Sequence, residues 1–246
     1  MQKFSALRGA FLLGASLVTL STAHAQSAKP VGSEESPGIV GTTGVNPNAP
    51  PPNGLLDNGV NITGVGQMRT ITNLTTRVGF VCSGTLINPR TVIFAAHCVN
   101  GQAANTYGYN TGGTPISFGF QADNAVARRL WAGLSADGLT RNPIDANTFQ
   151  TNVGNAIYSG EHVWYDPRSL LPANAGFINS DLALVTLDTP ANDIPTWAML
   201  FTPLTSPTHG VINGYGATGT SGTSGANLGV DSRRRIAENM IDFLVS

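Results

Sequence analysis

Two short passages hold the residue types that could do chemistry in this 246-residue chain. The first runs Cys82-Ser83-Gly84-Thr85-Leu86-Ile87, turns at Asn88-Pro89-Arg90, and continues as Thr91-Val92-Ile93-Phe94-Ala95-Ala96-His97-Cys98. Paired as a hairpin, its halves would bring the cysteines together at the open end, and a bridge between them would pin His97 at a strand terminus. A histidine fixed beside a cleft can act as a general base near neutral pH, provided a carboxylate orients the ring and stabilises its charged form. The second passage, Asn179-Ser180-Asp181-Leu182-Ala183-Leu184-Val185, supplies a carboxylate immediately before an apolar run, as though Asp181 were carried into a barrel interior. Asp166 and Asp188 are the alternatives, and Asp188 reads as a turn residue beside Thr189 and Pro190. Zinc held by His97, Cys98 and an acid would be a different chemistry. Neighbouring strand residues point to opposite faces, however, and no paired-cysteine spacing accompanies them, so no metal or cofactor is expected.

The elements that must position these side chains read mostly as strands. From about Gly64 onward short β-rich runs recur: Met68 to Thr72, Val78 to Leu86, Thr91 to Ala96, Ile116 to Phe120, Ala156 to Trp164, Leu182 to Leu187 and Gly210 to Gly214. Gly, Asn and Pro punctuate them, which is the texture of an all-β barrel or sandwich. In Asp123 to Ser135 the apolar Val126, Leu130 and Leu134 recur at helical spacing and predict a short amphipathic insertion. Arg235 to Val245 fits a helix through Ile236, Met240, Phe243 and Leu244, and a strand through its β-branched and aromatic members.

Composition bounds the partners. Only 11% of residues are charged, 13 Lys and Arg against 14 Asp and Glu, where an ordinary soluble domain carries about a quarter. Thirteen scattered cations cannot form the dense basic face that phosphate binding needs, so nucleic acid is excluded as a partner; only Arg233, Arg234 and Arg235 cluster. Residues 1–25 carry Lys3 and Arg8, an apolar stretch from Ala10 to Leu20, and Ala23-His24-Ala25, the pattern of a secretory signal peptide. The mature chain is therefore expected to be secreted or periplasmic, with no membrane span. In such a compartment Cys82 and Cys98 are more often bridged than free. Residues 26–60, with Pro30, Pro37, Pro47, Pro50, Pro51 and Pro52 among Gly, Ser and Asn, read as a linker or pro-segment.

On these motifs the chain resembles the chymotrypsin-like (trypsin-fold) serine proteases. Ser83-Gly84-Thr85-Leu86-Ile87 and Ala95-Ala96-His97-Cys98 look like the family's first strand pair and catalytic-histidine motif. Val163-Trp164-Tyr165-Asp166-Pro167 followed by Asp181-Leu182-Ala183-Leu184 resembles its approach to the catalytic aspartate, and Gly214-Tyr215-Gly216 with Thr218 resembles an opening strand of its second barrel. The resemblance spans about Gly64 to about Gly216. It implies an all-β double barrel, with the first barrel over 61–195 and a crossing segment and the start of a second barrel over 196–246. It also implies His97 as general base, Asp181 as its orienting partner, a Cys82–Cys98 disulfide beside the histidine, and a protein or peptide substrate.

The resemblance stops short of a nucleophile. The family's Gly-Asp-Ser-Gly-Gly element does not occur in the sequence. Ser83, Ser159, Ser221 and Ser224 each precede a glycine but read as turn serines. The expectation is a protease fragment lacking its nucleophile, the alternative a non-catalytic pseudo-protease that binds or scaffolds. Ile39-Val40-Gly41 looks like the family's activated N-terminus, yet it follows Gly38 rather than a basic residue and reads as linker. His97 and Asp181 lie 84 positions apart, a long interval that the insertion at Asp123 to Ser135 partly accounts for.

Overall fold

The structure is a computed structural model that describes residues 40–41, 62–170, 180–202, 204–216, 219–220 and 231–241. The expected signal peptide, most of the expected linker, Ser221 and Ser224 lie outside the described residues. In chain order the strands are β1 (Val40–Gly41), β2 (Ile62–Thr70), β3 (Val81–Asn88), β4 (Thr91–Phe94), β5 (Ile116–Gln121), β6 (Ile157–Tyr165), β7 (Ala183–Leu187), β8 (Thr208–Gly214), β9 (Gly219–Thr220) and β10 (Arg235–Ile241), with one α-helix, α1 (Ala125–Trp131).

Six of these strands close an antiparallel barrel in the order β2-β3-β4-β7-β6-β5, with β5 pairing back onto β2. Side-chain alternation explains why each strand sits where it does. In β7 the buried Ala183, Val185 and Leu187 face inward while Leu184 and Thr186 remain half-exposed, the period of two that a half-buried strand requires. In β5 Ile116, Phe118 and Phe120 enter the barrel core beside Met68, Leu86, Val92, Phe94 and Tyr158. Its outward Ser117 is buried as well, and Gly119 lies so close to Asn124 that a Cβ would stand 2.5 Å from Oδ1.

That outer face of the barrel is roofed by α1. Ala127 and Trp131 pack with Ile71, Phe149 and Ile157 as a second, smaller core, and the Trp131 indole N–H donates to Ser159 Oγ at 2.9 Å. The insertion thus extends the hydrophobic interior instead of merely decorating a loop. Its buried face is not the one its apolar spacing predicts, since Ala127 and Trp131 are buried while Val126 and Leu130 are exposed, and the helical turns end at Trp131, short of Leu134.

Outside the barrel, β8 and β10 form an antiparallel pair from Thr208↔Ile241 to Gly214↔Arg235. The ambiguity over Arg235 to Val245 resolves as strand for Arg235–Ile241. Cross-strand pairing decides between two periodicities that the residues alone leave equal. Within the expected linker, Val40–Gly41 pairs in parallel with Gly219–Thr220. Among the described residues no helix is long and apolar enough to cross a membrane.

Candidate active site

The barrel register, not proximity in sequence, brings His97 to Asp181. β4 and β7 run antiparallel with Phe94 opposite Ala183. The residues just after β4 and just before β7 therefore share one rim of the barrel. His97 lies three positions past Phe94 and Asp181 two before Ala183, so 84 residues of separation collapse to contact. His97 Nδ1 is 2.8 Å from Asp181 Oδ2, and the His97 backbone N–H donates to Asp181 Oδ1 at 2.9 Å. Both carboxylate oxygens are thereby engaged by one residue, which fixes the imidazole plane as well as its distance.

His97 does not end a strand. Ala96–Cys98 form a 3₁₀ turn closed by Cys98 N–H to Ala95 O at 3.2 Å and Val99 N–H to Ala96 O at 3.0 Å. The Cys82–Cys98 disulfide, with Cα atoms 6.4 Å apart, staples that turn to β3. The hairpin register accounts for it: Gly84 faces Phe94, so Cys82 falls beside the chain that continues past β4. Farther along, Asn100 Nδ2 donates to Ser169 O at 2.9 Å and Tyr107 Oη to Val99 O at 2.8 Å, both buried. The histidine turn is thus tied down on both sides.

Asp181 is not carried into the barrel interior. It stands on the rim, its side chain 43% exposed beside a His97 that is 62% exposed. The apolar run that follows it turns inward only from Ala183. Partial burial pushes the Asp181 carboxyl up. The His97 backbone and ring hydrogen bonds, the His97 charge and the Ala96 N–H outweigh that and hold it below the usual carboxylate range. It is therefore ionised at neutral pH.

The other acids lie elsewhere. Asp166 caps its own turn and pairs with Arg168, and Asp188 accepts from Thr151 and Asn110. Among the candidate hydroxyls, Ser83 Oγ accepts the Tyr215 N–H at 2.8 Å. Ser159 Oγ is buried between Trp131 and the Phe149 carbonyl. Both are spent on structure, and among the described residues no group hydrogen-bonds His97 Nε2. The sequence argument that set His97 and Cys98 on opposite strand faces does not hold, because a 3₁₀ turn carries both. The two sulfurs and one imidazole nitrogen lie within 4.8 Å of one another, with the sulfurs bonded together.

Sequence reasoning missed the anchors of this rim, Asn100, Tyr107 and Ser169, because single polar residues in loops give no periodic signal. Compared with known proteins, the chain matches no family model and no curated sequence.

Proposed function

We propose that this chain is the histidine–aspartate lobe of an exported, chymotrypsin-like serine endopeptidase, which hydrolyses peptide bonds by acyl transfer. The observation that carries the reading is the two-point contact of Asp181 with His97 through Nδ1 and the backbone N–H. An ionised carboxylate offers no proton, so the proton in that contact sits on Nδ1, and Nε2 presents its lone pair outward. A serine hydroxyl brought to Nε2 would lose its proton there while attacking the substrate carbonyl. Asp181 would hold the ring in that tautomer and stabilise the imidazolium that forms. Among the described residues none serves as nucleophile to Nε2, and the Gly-Asp-Ser-Gly-Gly element that carries it in this family does not occur in the sequence.

The six-stranded barrel supports a first lobe. The separate β8–β10 pair, joined to the barrel through Gly214-Tyr215-Gly216, is then the opening hairpin of a second. A disulfide beside the histidine and an N-terminal signal pattern both suit export. The rival reading, a non-catalytic binding or scaffold protein, is favoured by one observation: the described residues offer no hydroxyl to Nε2.

Translation of the nucleotide sequence past codon 246 separates the two. A downstream Gly-Asp-Ser-Gly element is expected, and a polypeptide extended through it should react with a fluorophosphonate serine reagent. The His97→Ala form should lose that labelling, and the 246-residue chain should stay unlabelled. A stop codon at 247, or labelling indifferent to His97, overturns the protease reading.

A further inference from the structure

We infer that the Cys82–Cys98 disulfide masks a metal site, and that on reduction the two cysteines and His97 form a three-ligand seat for a thiophilic divalent cation of the zinc class. Both sulfurs and one imidazole nitrogen already lie within 4.8 Å of one another. Tetrahedral zinc, with bonds of about 2.3 Å to sulfur and about 2.0–2.1 Å to nitrogen, sets its ligand atoms about 3.5–3.8 Å apart, so once the disulfide opens the two sulfurs, bonded together in the oxidised chain, must part while the imidazole nitrogen stays within reach.

The scaffold that holds the trio survives without the sulfur–sulfur bond. Cys82 is fixed by β3, which pairs on both sides with β2 and β4, and Cys98 is fixed by its 3₁₀ turn. A 16-residue separation makes the crosslink worth about 3 kcal/mol in the chain-entropy model. That is less than the about 5–15 kcal/mol by which ordinary domains are stable.

Asp181 completes the arrangement from outside. By accepting a hydrogen bond from Nδ1–H it leaves Nε2 as the nitrogen free to take the metal, which the ring would have to present to the two sulfurs in the carboxylate–histidine–metal relay common at zinc centres. Three protein ligands leave the fourth position open to water. The chemistry balances with a dithiol as reductant. Its two thiols deliver two electrons and two protons, the Cys82–Cys98 bond breaks, and the reductant closes its own disulfide. Metal binding then expels the two cysteine protons with no change in the metal's oxidation state. The half-buried Cys82 is the sulfur open to attack, since Cys98 is buried.

The test needs no protease activity. Co(II) is titrated anaerobically into the 246-residue chain, oxidised and dithiol-reduced, with far-ultraviolet circular dichroism recorded alongside. Reduced protein should develop thiolate-to-cobalt charge transfer and the intense visible bands of tetrahedral cobalt, one equivalent per chain, displaced by Zn(II). The oxidised protein should show neither. Asp181→Asn should weaken binding by about 10–100-fold, the usual cost of losing an outer-shell partner, and His97→Ala by more than that. Equal spectra before and after reduction, binding indifferent to His97→Ala, or loss of the β-sheet dichroism on reduction each overturn the inference.

Discussion

At the scale of single residues, the arrangement that matters is a solvent-open imidazole held at two points by a carboxylate on the same rim. Openness makes hydrogen-bond geometry decisive, because a pair exposed this far gains little from Coulomb attraction alone. Replacing Asp181 by Asn keeps the shape but substitutes an amide for an obligate acceptor, and the ring is free to take the other tautomer. The far-downfield Nδ1–H proton resonance of His97 expected for the native chain should vanish in Asp181→Asn. It should persist in the native chain on acidification until below the usual carboxylate range, because Asp181 is held below that range when folded. Loss of the signal at the ordinary aspartate value of about 4 would show that His97 does not hold the carboxylate. The sequence made this pair legible only through motif context. The apolar run after Asp181 and the Thr189-Pro190 turn beside Asp188 favour Asp181 without placing it against His97. That placement comes from Phe94 facing Ala183 across a β-ladder, a pairing that no local pattern encodes.

At the scale of elements, strands were legible where short apolar runs end at turn residues, as β7 does before Thr189-Pro190, and less so where glycines interrupt them. β2 begins at Ile62, well before the Met68 that marks it in sequence. Gly64 and Gly66 disguise its first half as a loop, although a Cβ on Gly64 would stand 2.2 Å from the Pro195 carbonyl. The same close packing makes glycine on β3 a sensitive position. A Cβ at Gly84 would stand 2.6 Å from the Phe118 ring and 2.8 Å from Val92, both fully buried. Gly84→Ala should therefore cost about 1–3 kcal/mol by overpacking, read as a lowered denaturation midpoint with unchanged slope. The disulfide acts differently, through the unfolded chain. Cys82→Ser with Cys98→Ser should lower stability by about 3 kcal/mol without altering native-state chemical shifts beyond the His97 turn. A spectrum perturbed throughout the barrel would mean that the bridge builds the fold instead of stapling it.

At the scale of the whole molecule, the β8–β10 hairpin is fastened to the barrel by a small set of polar contacts, and these set how the chain comes apart. Arg234 is fully buried, donating from its backbone to Ala122 O and from Nη1 to Phe120 O. Gln67 Nε2 holds the Asp231 carbonyl at 3.0 Å, and Arg235 grips both Asp231 oxygens at 2.7 Å. Of the arginine run that clusters in sequence, Arg234 and Arg235 are interior, with Asp231 pairing Arg235, while Arg233 pairs with Asp123 nearer the surface. Partial burial pushes the Asp231 carboxyl up, but Arg235, the Arg233 N–H and the two guanidinium charges more than offset this and hold it below the usual range. A carboxyl depressed in the folded state contributes stability that is complete above its unfolded value and is lost as pH falls through the folded one. Asp137 and Asp166, each depressed to about 2, cap turns remote from the hairpin, whereas the Asp231 carboxylate holds together the 231–235 segment that Gln67 and Arg234 fasten to the barrel. Acid should therefore loosen the hairpin first. As pH falls below about 4, the unfolded aspartate value, amide protection factors of β8 and β10 should fall while those of β3, β4 and β7 hold. In Asp231→Asn the hairpin should already be loosened at neutral pH and the acid step should disappear. Simultaneous loss of protection in hairpin and barrel, or an acid step that survives Asp231→Asn, would mean that the contacts of Gln67 and Arg234 with their partners hold without the Asp231–Arg235 clamp.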